Sequence, residues 1–99
     1  MPNGSGAIWW GKAMKHELKC WPSYFNAILS GAKTHEIRDN TRRDFSTGDT
    51  LELVEYDPAS KFSAPALDAR RLRVRVTYLT QGIWGLPQHL TVMSIRIEP

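Results

Sequence analysis

Hydrophobic and polar residues alternate most strictly over residues 71–78, where every second side chain is apolar or aromatic. Alternation with a period of two is typical of a β-strand that buries one face. The same pattern, kept less strictly, predicts strands over residues 16–20, 50–56 and 90–97. The polar segment over residues 33–39 is predicted to be extended as well.

One short helix is predicted between the first two of these segments. Pro22 lies at its first position, where the missing N–H costs nothing, and Gly31 provides a left-handed C-terminal cap. Apolar residues recur at intervals of three and four and define one face, which we expect to pack in the core: Trp21, Phe25, Ile28 and Leu29. Tyr24 is expected to join the packing between helix and sheet.

These elements predict an α+β fold with one or two short helices beside a small, mostly antiparallel sheet that curls into a barrel. A chain of 99 residues has room for one such domain, which we place at residues 14–99. Residues 1–13 are predicted to be a flexible extension, because residues 3–6 resemble a linker and the apolar cluster at 8–10 has no periodic partner. We expect its two tryptophans to dock on the domain.

Composition excludes several classes of protein. Apolar residues make up 41% of the chain, and the longest apolar stretch, residues 7–10, is far shorter than the roughly 20 residues of a membrane span. Nothing before that stretch resembles a secretory leader. Cys20 is the only cysteine, which excludes an internal disulfide. We therefore expect a cytoplasmic protein, monomeric or weakly dimeric through exposed tryptophans.

No cofactor or metal is expected either. His16, His35 and His89 lack the spacing of a metal site, and a single cysteine cannot build a zinc site. The net charge of +3 slightly favours an anionic partner. Eight of the thirteen basic residues are arginine, whose planar fork suits phosphate.

Two groups of arginines are candidates for such contacts. Arg42 and Arg43 lie in a predicted loop, where side chains can reach a ligand. Arg71, Arg73 and Arg75 share one face of the clearest strand. That face is either a phosphate-binding surface or an ordinary solvent face, and the sequence leaves both open.

The most informative segment is residues 31–38, which has the pattern Gly-x-Lys-x-x-Glu-x-Arg and is called the 31–38 motif below. If the segment is extended, Glu36 and Arg38 share one face, whereas Lys33 and His35 share the other. Three charged residues so close together indicate either a solvated edge or the wall of a polar cleft. The residues alone do not decide between them.

The chain resembles the ASCH branch of the PUA-like superfamily, and more narrowly a small microbial and phage-borne group of unknown function within that branch. The resemblance runs from about His16 to Ile97 and rests on five motifs in this order: residues 16–19, 24–28, 31–38, 45–49 and 55–58. It implies a compact β-barrel with a cleft for nucleic acid or a nucleotide-like ligand. It also implies that Lys33, Glu36 and Arg38 line that cleft.

We therefore predict a module that binds RNA, or another single-stranded or flipped-out nucleotide, in a polar cleft. Glu36 would accept hydrogen bonds from a base edge, while Lys33 and Arg38 would neutralise phosphate. Arg42 and Arg43 would lie at the rim. Such a cleft is too small to recognise a long sequence and suits one base with its adjoining phosphates.

Other residues have two open interpretations each. His16 either bonds the ligand or has a structural role. Trp84, in a Gly-rich loop, either stacks on a base or covers the end of the barrel. Tyr56 and Tyr78 lie on apolar strand faces and are expected to be buried.

Two alternative functions remain at this stage. Some ASCH relatives hydrolyse an acylated cytidine nucleoside with a threonine nucleophile at the position of Glu36 and a lysine at the position of Lys33. A carboxylate is a poor replacement for an alkoxide nucleophile, which counts against an amidohydrolase here. Lys33 and Glu36 could still act as acid and base in a metal-independent enzyme, including a ribonuclease. The other alternative is a phage-type module that occupies a host protein through its basic face or residues 8–10.

Overall fold

One helix and five strands make up the described part of the fold. A computed structural model describes residues 13–99. Its elements, in chain order, are β1 (Lys15–Cys20), α1 (Pro22–Leu29), β2 (His35–Asp39), β3 (Thr50–Glu55), β4 (Arg71–Gln81) and β5 (Leu90–Ile97). The predicted α+β class is confirmed. The predicted extension lies outside the described residues apart from Ala13, as does the expected docking of Trp9 and Trp10.

The strands form one mixed sheet in the order β1-β3-β4-β5-β2. Three neighbouring pairs are antiparallel and β1 runs parallel to β3. The two edge strands, β1 and β2, are joined in sequence through α1. Arg38 on β2 donates a hydrogen bond of 2.8 Å to the backbone carbonyl of Lys19 on β1. The sheet is therefore curled into a half-barrel, and we call the gap between β1 and β2 the seam.

The core lies inside this half-barrel and follows the predicted alternation. Phe25 and Ile28 are the buried residues of α1 and cover its interior. The strands contribute residues at every second position: Leu18, Leu51, Leu53, Val74, Val76, Met93 and Ile95. Two residues of the predicted helix face do not join them, because Leu29 is 47% exposed and Trp21 is 49% exposed.

Tyr78 also departs from its prediction, since it is 67% exposed. A bulge between Val76 and Tyr78 shifts the pairing of β4 with β5 by one residue. Because side chains alternate between faces, a shift of one residue moves Tyr78 from the inner face to the outer one. Tyr56 is half-buried, and its hydroxyl donates to the backbone carbonyl of Phe62 at 2.5 Å.

A buried polar pair fastens the start of β1 to the loop before β3. Nε2 of His16 lies 2.8 Å from Oδ2 of Asp49, and both side chains are buried. The Asp49 carboxylate also accepts the backbone N–H groups of Met14 and Ser46, each at 2.9 Å. The His16 ring packs against Phe45 with 4.7 Å between centroids. These contacts support the structural interpretation of His16.

No helix within residues 13–99 has the length and apolar character needed to cross a membrane.

Candidate functional site

The 31–38 motif follows directly from the end of α1. Gly31 has a φ of +84°, as predicted for a left-handed cap. Its N–H donates to the carbonyl of Ile28, and the N–H of Lys33 donates to Ala27, both at 3.0 Å. Lys33 therefore lies before β2 begins at His35, where strand alternation does not determine its direction.

Glu36 is the centre of a charged triad. Its side chain is only 5% exposed. Nζ of Lys33 donates to Oε1 at 2.9 Å, and Arg38 donates to Oε2 through Nε at 3.3 Å and Nη2 at 3.0 Å. Both carboxylate oxygens are thus occupied by cations. Burial of a carboxylate is tolerated only with such partners, so the motif is not a row of separately solvated charges.

The triad inverts the usual pattern of a strand at a protein surface. The charged Glu36 points inward, while its apolar neighbour Ile37 is 52% exposed. Buried charge and exposed apolar surface are the two informative departures from normal burial. Such departures from the rules of packing are expected at functional sites.

Cys20 lies close to this charge. The thiol is buried, and burial, together with the negative charge of Glu36, raises its pKa to about 11. A thiol is nucleophilic only when it is deprotonated. Cys20 is therefore a neutral core residue near neutral pH rather than a reactive group.

A cleft of about 400 Å³ opens above the triad at the seam. Lys19, Lys33 and Arg38 contribute three positive charges to its lining and Glu36 one negative charge, which leaves two positive charges with His35 neutral. The volume lies within the range of about 300–1,000 Å³ typical of small-molecule sites. The cleft therefore suits an anionic ligand.

Two aromatic side chains also line the cleft, and the sequence-based prediction for both was wrong. Trp21 and Tyr24 are 49% and 48% exposed, and their rings stack with 5.7 Å between centroids and 9° between planes. Trp21 is the N-cap residue, with extended φ and ψ of −62° and 146°, so its side chain does not follow the apolar face of the helix. Tyr24 precedes the buried Phe25, and one residue rotates a helix by about 100°.

A usable signal for this pair was present in the sequence. Pro at the first helical position identifies the preceding residue as the N-cap, which removes Trp21 from the helical period. Tyr24, three residues after this N-cap, is the ring on which Trp21 stacks. Three further lining residues, Lys19, His35 and Ile37, carried no comparable signal.

A second depression of about 480 Å³ adjoins the cleft, and we call it the arginine depression. Arg42 and Arg43, both exposed, line it together with Arg38. Arg38 thus lines both concavities. The structure brings Lys33, Glu36, Arg38 and the two loop arginines to neighbouring parts of one surface.

Two other candidates lie elsewhere. Trp84 is 95% exposed and lines a separate concavity between the end of β4 and the start of β5. It is not one of the described residues that line the cleft. His16 is likewise absent from that lining, because it is buried against Asp49.

The arginine face of β4 is paired with acidic residues. Arg71 and Arg73 lie 3.5 and 3.8 Å from carboxylate oxygens of Glu52, and Arg75 lies 2.5 Å from Glu98. All three arginines are exposed. Of the two interpretations left open for this face, the geometry favours a solvent face with local ion pairs.

Within the described part of the chain, no group of three or more His, Cys, Asp or Glu side chains could hold a metal ion. A family model described as "Domain of unknown function (DUF3850)" matches residues 15–95. The match includes the cleft, the triad and the arginine depression. No curated protein matches the chain.

Proposed function

We propose, for a chain that belongs to the DUF3850 family, that the cleft binds a nucleotide of a single-stranded nucleic acid, with RNA as the expected ligand. The observation that carries this proposal is the exposed Trp21–Tyr24 stack beside a cleft with an excess of positive charge. Stacking platforms next to cationic grooves are the usual means of binding single strands. The resemblance of the 31–38 motif to the ASCH branch of the PUA-like superfamily supports the same proposal.

The base would stack on the outer face of Trp21. Tyr24 lies behind Trp21 with nearly parallel ring planes, and Nζ of Lys33 lies 5.4 Å from the centroid of the Tyr24 ring. Trp21 is 49% exposed in this arrangement, so part of its surface is accessible to a base. A base stacked on an aromatic side chain contributes about 1–3 kcal/mol.

The phosphate would lie near the cations of the cleft. Lys19 donates to the backbone carbonyl of Ser63, and its Nζ lies 4.7 Å from the centroid of the Tyr56 ring. Both partners are uncharged, and Lys19 forms no ion pair with an acidic residue of the described chain. Glu36 has both oxygens occupied by Lys33 and Arg38. We therefore assign Glu36 a positioning role for the two cations, in place of the base-edge acceptor role expected from the sequence.

The paired state of Lys33 favours binding over acid–base catalysis. Its ammonium group donates to Glu36 and to the backbone carbonyl of His35. A general base needs a free lone pair, whereas in both of these contacts the Lys33 nitrogen acts as a hydrogen-bond donor. Incubation of the protein with RNA and with an N-acylcytidine, with and without a chelator, would detect the enzymatic alternative through product formation.

Fluorescence anisotropy with a labelled ten-nucleotide RNA of mixed sequence tests the proposal. A DNA strand of the same sequence shows whether the protein prefers ribose over deoxyribose. Loss of one stacked base predicts that Trp21→Ala binds about 5- to 150-fold more weakly. Trp84→Ala removes a more exposed indole that lies outside the cleft, and this variant should bind as tightly as the wild type. Circular dichroism verifies that both variants fold.

Two outcomes would refute the cleft as the binding site. One is a Trp21→Ala variant with unchanged affinity, and the other is a Trp84→Ala variant with the larger loss. Binding should also weaken as the salt concentration rises. In a plot of the logarithm of the association constant against the logarithm of the salt concentration, we expect a slope of about −0.7 for each phosphate contact with a single strand.

A further inference from the structure

Two concavities meet at one arginine. The cleft and the arginine depression share Arg38 and otherwise have different linings. On this arrangement we infer that the ligand spans two consecutive nucleotides, with the phosphate that joins them at Arg38 and the second nucleotide in the arginine depression. This inference rests on the proposed function and specifies that the bound ligand is two nucleotides long.

The Arg38 side chain divides the two concavities because it crosses the seam. Nε and Nη2 donate to Glu36, and Nη2 also donates to the backbone carbonyl of Lys19. Among the contacts of the described residues, Nη1 has no partner. The side chain is 24% exposed. No buried side-chain nitrogen or oxygen of the described residues lacks a hydrogen-bond partner, so the unpartnered Nη1 is in contact with solvent. An arginine held in this way presents a preoriented donor to a phosphate oxygen.

The arginine depression has the chemistry of a nucleotide subsite. Leu18 and Phe45, both buried, form an apolar floor of the depression, against which a ribose or a nucleobase can pack. Arg42 and Arg43 are exposed at its rim. Its volume of about 480 Å³ is similar to that of the cleft.

Positive charge also dominates the arginine depression, although one acidic residue lines it. The Asp39 carboxylate accepts the backbone N–H of Thr41 at 2.8 Å and its hydroxyl at 2.5 Å. These bonds hold the carboxylate within its own turn. Against this single negative charge stand three arginines, so the depression has a net charge of two positive units.

Isothermal titration calorimetry with ligands of two lengths tests the inference. The probes are the four nucleoside 5′-monophosphates and the corresponding 5′-phosphorylated homodinucleotides. We expect the dinucleotide that binds best to bind about tenfold more tightly than its mononucleotide. This gain is the contribution expected from one additional charge-assisted hydrogen bond. In the double variant Arg42→Ala, Arg43→Ala this gain should disappear, while mononucleotide affinity stays within about twofold.

A matched control removes the same charge from another face. The double variant Arg71→Ala, Arg73→Ala changes the net charge equally, yet these arginines lie on β4 and pair with Glu52. It should keep both the mononucleotide affinity and the dinucleotide gain.

Three results would overturn the inference. Equal affinities for mononucleotides and dinucleotides would remove the second subsite and leave the proposed function standing. A dinucleotide gain that survives loss of Arg42 and Arg43 would also remove it. Failure of every mononucleotide and dinucleotide to bind would overturn the proposed function together with the inference.

Discussion

Replacement of Glu36 by glutamine tests whether the buried carboxylate holds the seam together. The change keeps the size of the side chain and removes its charge, so Lys33 and Arg38 lose their common anion. Their side chains are 15% and 24% exposed, while that of Glu36 is 5% exposed. The perturbation is therefore electrostatic, with little change in packing.

The magnitude follows from these exposures. Removal of one partner from a buried ion pair costs about 3–5 kcal/mol. Because both cations retain some access to water, we expect the lower end, about 3 kcal/mol. For a domain of this size, each kcal/mol lowers the melting temperature by about 4–8 °C, which predicts a decrease of roughly 12–24 °C.

A glutamate on the outer face provides the matched control. Glu52 on β3 has three basic neighbours where Glu36 has two. These are Lys15, Arg71 and Arg73, at 3.5, 3.5 and 3.8 Å, and their side chains are at least 45% exposed. Looser, solvated pairs of this kind contribute about 0–1 kcal/mol. Glu52→Gln should therefore leave the free energy of unfolding nearly unchanged.

Urea unfolding at pH 7, followed by circular dichroism, measures both variants. A double-mutant cycle with Lys33→Met then isolates the coupling between Lys33 and Glu36. A cost below about 1 kcal/mol for Glu36→Gln, or an equal cost for Glu52→Gln, would show that the triad does not act as a buried ion network.

Two further predictions concern groups beside the site. The pKa of Cys20 rises from 9.0 in an ordinary thiol to about 11 in the fold, so the unfolded chain loses this proton first. The neutral thiol contributes fully to the free energy of unfolding below pH 9, and this contribution decreases toward pH 11. At pH 11 the wild type should have lost about 2 kcal/mol of stability relative to Cys20→Ala. Parallel pH profiles of the unfolding free energy for the two proteins would contradict this prediction. Asp49→Ala leaves buried His16 and two backbone N–H groups without their acceptor and should cost about 3–5 kcal/mol in urea unfolding; a cost below about 1 kcal/mol would refute its role as a fastener.

Local pattern predicted most of the elements because their causes are local. Period-two alternation located β3, β4 and β5, and Pro22 and Gly31 marked the two ends of α1. The prediction failed where one residue changed the period. The bulge before Tyr78 and the N-cap position of Trp21 each moved an aromatic side chain to the surface.

The site itself was predictable only in part. The spacing of Lys33, Glu36 and Arg38 indicated that they belong together, but alternation placed Lys33 on the wrong face, because β2 begins only at His35. The acidic partners of the β4 arginines were equally hidden, since Glu17, Glu52 and Glu98 come from three distant parts of the chain. Pairing across a sheet depends on strand order, which a single sequence pattern does not contain.

The amino-acid sequence by itself determined the α+β class, the ends of the helix and the close spacing of the three charged residues in the motif, because propensity and spacing act over a few residues. Only the tertiary structure decided that β1 and β2 face each other across a seam. That closure buries Glu36, sets Trp21 and Tyr24 beside the cations and makes Arg38 common to two concavities. The contact of Arg38 with Lys19 joins two strands that are distant in sequence, and their meeting depends on the curl of the whole sheet.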